Sequence, residues 1–185
     1  EKLDASAHAS DMFIVRNFTG DDKDPDTNDQ CVTCHMSNRE PEGTVGRDLV
    51  GGHSFAMRGK NKETLGICNK CHAQLGEELT ALNRKAAGDF DGDGTIKGVQ
   101  DEVKGLLAII GNLLPPKGSP EVKLPDDLTQ TTEKERMAAY NYFLVLQDGS
   151  YGIHNTAYSV GLLQRTYKLL TGKTFKEAFP KAALR

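Results

Sequence analysis

At 185 residues the chain has the length of one domain, and 23 Lys+Arg against 26 Asp+Glu leave a net charge of −3. Basic and acidic residues are intermixed without a basic tract, which argues against a nucleic-acid partner. Hydrophobic content of 37% with 6% aromatic residues and no Trp is lean for a conventional core, so a staple or a large bound group is expected to complete the interior.

In chain order, "SAHASDMFIVRNF" gives way to the polar loop "TGDDKDPDTNDQ", which delivers the motif "CVTCH" at 31–35. The stretch 37–61 has poor periodicity and four glycines between 43 and 52, and reads as an irregular loop carrying His53. A second motif, "CNKCH", occupies 68–72. A helix is expected from Thr64 to about Lys85, with Leu75, Leu79 and Leu82 on one face, followed by the loop "GDFDGDGT" at 88–95. Val99, Val103, Leu106, Leu107 and Ile110 predict a helix from Val99 to about Leu113, ended by Gly111 or by Pro115-Pro116. "PPKGSPEVKLPDD" reads as a linker or surface excursion.

The next helix is capped by Thr131 or Thr132 and ends at "DG", with Met137 inside it as core filler. Another starts near His154 or Asn155 and closes at Gly172, and a short turn "FKEAF" stops at Pro180. No strand is predicted. The organisation expected is one domain over 1–185 with a helical subregion from 128 to 185. The longest apolar run, around Leu106–Leu114, is too short to span a bilayer, so the chain is not expected to be transmembrane. It opens "EKLDASAHASD" without Met, as a processed or a truncated product would.

All four cysteines lie in the two CxxCH motifs. Two thiols two residues apart can both reach the vinyl positions of one porphyrin from a single turn, and the adjoining His then lies under the iron. This predicts two covalently attached haems c, one on Cys31, Cys34 and His35 and one on Cys68, Cys71 and His72. A zinc site built from the four cysteines leaves both following histidines as coincidences, and its gap between pairs is long. A redox dithiol wants a strand before it, where this chain has an Asp-rich loop.

His8, His53 and His154 remain as distal ligands, with Met12, Met36, Met57 and Met137 as alternatives. His53 follows Gly51-Gly52, which would let backbone approach a flat porphyrin, and His154 lies at a helix start. Five histidines suffice to close two irons with one to spare, which suits electron transfer; an open sixth position would suit gas, peroxide or nitrite chemistry. Spacing leaves open which distal His serves which haem.

"DFDGDGTIKGVQDE" at 89–102 places Asp89, Asp91 and Asp93 at positions 1, 3 and 5 of an EF-hand-like loop, with the Thr95 carbonyl at position 7. Position 12 is Gln100, so a strict EF-hand fails. A looser Ca2+ loop would be closed by Asp101 or Glu102. The bland alternative is a solvated Asp/Gly turn before a helix.

With the CxxCH pair, "GGHSFAMRG" at 51–59 and "DGSYGIHNTAYSVGLL" at 148–163, the chain resembles multihaem c-type cytochromes of the bis-histidine, bacterial extracytoplasmic kind. The resemblance implies that His53 and His154 are the distal pair. The expected fold is all-α, a small dihaem cytochrome c with much irregular loop and about four helices around two haems. The function expected is electron transfer in the periplasm or outside the cell, by a carrier rather than an enzyme. Its partners would be redox proteins docking at exposed haem edges, further cytochrome domains or copies of itself. A dihaem peroxidase or reductase with one open haem, using His8 or Tyr158, is the rival.

Overall fold

The computed structural model describes residues 35, 58–59, 62–63, 83–119 and 121–185. The chain divides into two units, 1–82 and 83–185. Where the sequence suggests one domain with a helical subregion beginning at 128, the C-terminal unit begins at Asn83. The reason lies in packing: the helix from Val99 contributes its apolar face to the same core as the helices after 128.

In the first unit, β1 (Arg58–Gly59) pairs antiparallel with β2 (Lys62–Glu63), in the register Arg58↔Glu63 and Gly59↔Lys62. This pairing departs from the strand-free expectation. Two residues per strand are too short to show the period-2 alternation by which a strand is read from sequence. His35 is helical and half-buried.

The second unit has four α-helices among its described residues, α1 (Val99–Leu113), α2 (Glu133–Asp148), α3 (Thr156–Thr171) and α4 (Phe175–Ala178), with a 3-10 turn at Leu128–Gln130 before α2. Its fold class is all-α, as expected. Residues 83–85, expected to end a helix, are instead non-helical, with Lys85 bridging Gly98. Their backbone is committed elsewhere, because Arg84 O accepts from Val99 N at 2.8 Å and Ala86 N donates to Lys97 O at 2.8 Å.

On α1, Val103, Leu106, Leu107 and Ile110 are buried at the i, i+3, i+4, i+7 spacing that puts them on one face. That face meets Ala138, Ala139, Tyr142 and Val145 of α2 and Val160 and Leu163 of α3 in one core. Thr132 caps α2 through a reciprocal box with Glu135, and Gly149, at φ 69°, ends it in the left-handed region. Asn155 caps α3 by accepting from Tyr158 N at 2.9 Å, and Gly172 closes it. Against Tyr167, Phe175 and Phe179 of the last turn stack at 4.5 Å between centroids. Met137, expected in the core, is exposed. It lies on the same side of α2 as exposed Tyr140 and Leu144, because Ala138, Ala139 and Tyr142 take the core-facing side instead.

Gly105 faces the loop before α1. A Cβ there would lie 1.9 Å from Asp91 Oδ2 and 2.8 Å from Asp91 Cβ. Gly105→Ala should therefore destabilise the unit even though Ala is favoured over Gly in a helix interior by about 1 kcal/mol. A lower denaturant midpoint for the variant is the expected result. A raised midpoint would mean that Asp91 moves aside at little cost.

Candidate functional site

The first two turns of α1 carry two loops. One is the acidic loop 88–97, and the other is the "DGSYGIHN" segment between α2 and α3.

The helix start itself is capped from a distance. Gly98 at the N-cap has no side chain to offer, and the Asn83 carboxamide takes its place, accepting from Gln100 N at 2.9 Å. A Cβ on Gly98 would fall 2.1 Å from Asn83 Oδ1, so the missing side chain is what admits the cap. The Asn83 amide also donates to Asp101 Oδ2 at 2.7 Å.

Glu102, one residue on, is fully buried. Its Oε2 accepts from Phe90 N at 2.7 Å and Asp91 N at 3.1 Å, and its Oε1 accepts from Lys97 N at 2.7 Å. Both ends of the acidic loop thus hang on one carboxylate. Within the loop, Asp89 accepts from Gly92 N at 2.6 Å and from Gly94 N at 2.8 Å. Both glycines have positive φ, at 78° and 96°, where L side chains are strained. The loop is backed by the C-terminal segment: Ala183 N donates to Asp89 O at 2.6 Å, and Gln164 Nε2 to Phe90 O at 3.1 Å.

Asp89, Asp91 and Glu102 are all buried and each brings a carboxylate oxygen within 4.8 Å of the others. Oxygen donors of this kind suit a hard cation. Of the six calcium ligands expected from sequence, these three are gathered. Asp93 stands at the rim, with its side chain 49% exposed. Thr95 is exposed and donates its N–H to Asp93 at 2.8 Å, while Asp101 is engaged by Asn83.

A positive charge already sits there. The Lys97 ammonium lies 2.6 Å from Asp91 Oδ2 and 2.8 Å from Asp93 Oδ2. Hydrogen bonds from Asp91 and Asp93 hold its pKa above the ordinary lysine value. Asp93 is held below the usual carboxylate range by the Lys97 bond and the Thr95 amide. For Asp91, burial dominates and pushes the carboxyl up, against the Lys97 and Asp93 hydrogen bonds. The sequence reading overlooked Lys97; its signal was a lysine four residues after Asp93 in an otherwise acidic loop.

The second loop holds His154. Gly149 turns the chain out of α2, and Tyr151 follows in a positive-φ conformation at 49°. Gln100 Nε2 donates to Ser150 O at 3.1 Å, the Lys104 ammonium lies 4.9 Å from the Tyr151 ring centroid, and Gly152 lies against Val103. His154 Nδ1 is 2.6 Å from Asp148 Oδ1, and Ser150 Oγ donates to Asp148 Oδ2. Burial pushes the Asp148 carboxyl up, but its bonds to Ser150 and His154 outweigh that and leave it below the usual range. Asp148 also escaped the sequence reading, since six residues separate it from His154 across a helix end.

Of the haem residues expected, His35 and His154 fall among the described residues; Cys31, Cys34, His53, Cys68, Cys71 and His72 lie outside them. No helix among the described residues is long and apolar enough to cross a membrane. Comparisons of the chain with protein-family models, curated proteins and solved structures found no match. Sequence and fold together define a class by its parts: an all-α unit with a carboxylate-lined loop and a carboxylate-held histidine, in a chain bearing two CxxCH motifs.

The raised Lys97 pKa has a consequence for stability. A group held above its unfolded value contributes fully below that value and is lost as pH rises through the folded one. The difference in unfolding free energy between wild type and Lys97→Met should therefore be constant across neutral pH and shrink above the ordinary lysine value of 10.5. Urea titrations at a series of pH values measure it. Parallel curves through the alkaline range would show that Lys97 adds no stability of this kind.

Proposed function

We propose that this chain is an extracytoplasmic electron carrier that holds two c-type haems through Cys31, Cys34 and His35 and through Cys68, Cys71 and His72. The observation that carries the reading is the pair of CxxCH motifs, which together use every cysteine in the chain and leave none over. The donor set fits the group: four thiols for four thioether bonds, and five histidines for the axial positions. When bound, haem c supplies a one-electron couple whose potential the axial ligands and their hydrogen bonds tune.

The chain's own residues then attach, orient and ligate. His154 is suited to an axial role because its Nδ1 faces a carboxylate at 2.6 Å, the usual arrangement behind a metal-ligating imidazole, in which Nε2 is the coordinating nitrogen. Its mount is a capped helix start, with Asn155 accepting from Tyr158 N at 2.9 Å, so the ligand would be held on a rigid element. His53 is the second distal ligand in this reading. Histidines on both sides of both irons would close them to substrates, which favours transfer over catalysis. The partners are other redox proteins, met through small and transient contacts.

Calcium belongs to the same reading as a structural ion. The buried Asp89, Asp91 and Glu102 carboxylates would hold it, and Lys97 would have to withdraw from Asp91 to admit it. An ammonium and a divalent cation compete for the same oxygens.

Matured in a host with cytochrome c assembly machinery, the protein should carry two haems per chain by mass, and Cys31→Ala with Cys34→Ala should leave one. The ferrous spectrum should stay low-spin under carbon monoxide. A rapid shift of one haem with the gas would point instead to a peroxidase or reductase with an open site. For the calcium component, Lys97→Met should bind Ca2+ at least about tenfold more tightly than wild type in calorimetric titration, since it removes a competing charge. A Lys97→Met protein that takes up no Ca2+ sinks that component.

A further inference from the structure

We infer that Asp148 is a positioning residue for His154, fixing the imidazole's tautomer and plane and raising the electron density at its coordinating nitrogen. The inference rests on the reading of His154 as an axial ligand and adds to it a residue that lowers the potential of the haem His154 serves.

The geometry is specific. Asp148 is the last residue of α2, and Gly149 turns the chain so that Ser150 and His154 come back to it. Its two carboxylate oxygens are divided between partners: Oδ1 faces His154 Nδ1 at 2.6 Å, and Oδ2 accepts from Ser150 Oγ. Ser150 Oγ in turn accepts from His154 N at 3.3 Å, which closes a small ring of hydrogen bonds through the turn. A carboxylate gripped on one oxygen cannot rotate independently of the other. Ser150 therefore sets the plane in which Asp148 meets the imidazole.

The ring is anchored from outside as well, since Gln100 Nε2 of α1 donates to Ser150 O at 3.1 Å. Both side chains are about a third exposed, at 33% for His154 and 35% for Asp148. An exposed ion pair gains little from contact alone. The elaboration of the turn around Asp148 is out of proportion to a surface salt bridge, and it accords with a carboxylate placed behind a ligand. With Nδ1 donating its proton to the carboxylate, Nε2 becomes the coordinating atom and a stronger donor, which favours the ferric state.

The test uses the two-haem protein and reads potentials and the low-temperature paramagnetic resonance of the oxidised form. His154→Met should alter the signal of one haem and raise its potential. Asp148→Asn should keep both haems low-spin, shift the g-values of that same haem, and raise its potential by up to about a tenfold change in the ferrous-to-ferric ratio, or about 59 mV. Ser150→Ala, which leaves Asp148 and His154 in place, should shift it in the same direction by less.

If His154→Met changes one haem while Asp148→Asn and Ser150→Ala change neither potential nor g-values, Asp148 is only a surface partner and the inference fails, with the axial assignment intact. If His154→Met changes nothing, the assignment and the inference fall together. Should Asp148→Asn not accumulate as holoprotein, Ser150→Ala decides alone, and an unmoved potential overturns the proposal.

Discussion

The C-terminal unit hangs on one buried carboxylate. Glu102 projects from the first turns of α1 and accepts three backbone N–H groups from two ends of a loop that has no regular structure of its own. Without an acceptor, each of those amides would be buried at a cost of about 1–3 kcal/mol, a large share of the stability of a unit this size. The carboxylate also lies near a helix N-terminus, where the peptide dipoles favour negative charge. A charge buried completely is expensive. Here three hydrogen bonds and the helix dipole offset that cost, and the loop acquires a fixed shape.

That shape explains why the other acidic residues lie where they do. With the Phe90, Asp91 and Lys97 amides turned inward to Glu102, Asp89 is left to accept from Gly92 and Gly94, and Asp91 projects toward Gly105. Carboxylates brought this close repel one another. The Lys97 ammonium between Asp91 and Asp93 relieves part of that repulsion without any external ion.

Much of the fold was legible because it is written in local chemistry. The α1 bounds followed from apolar spacing and the prolines after it, and cap preferences marked the other helix ends to within a residue, with Thr132 and Asn155 the caps out of the adjacent pairs 131–132 and 154–155 and Gly149 and Gly172 the closing glycines. What escaped was set by contacts between distant residues. Asn83 caps α1 from outside the helix, so residues 83–85 leave the helical pattern that the preceding leucines suggested. The choice of Glu102 over Asp101 at the carboxylate cluster depended on that same cap, because Asn83 holds Asp101. Met137 looked like core filler since periodicity identifies an apolar face only when one face is clearly richer, and α2 carries apolar side chains on more than one side. Two-residue strands carry no period at all.

The two loops share α1, and this has a physical meaning for the proposed ligand. Gln100 donates to Ser150 O, and the Lys104 ammonium stacks on Tyr151, while Asp101 and Glu102, between them in sequence, hold the Asn83 cap and the acidic loop. Successive residues of a helix project about 100° apart, so one turn can serve two loops on different sides without either side chain crossing the other. Hydrogen bonds fix the helix start on one side and the His154 turn on the other, and the rigid turn between them transmits position. The His154 turn and the acidic loop are thus tied to the same stretch of helix, one through Gln100 and the other through Glu102.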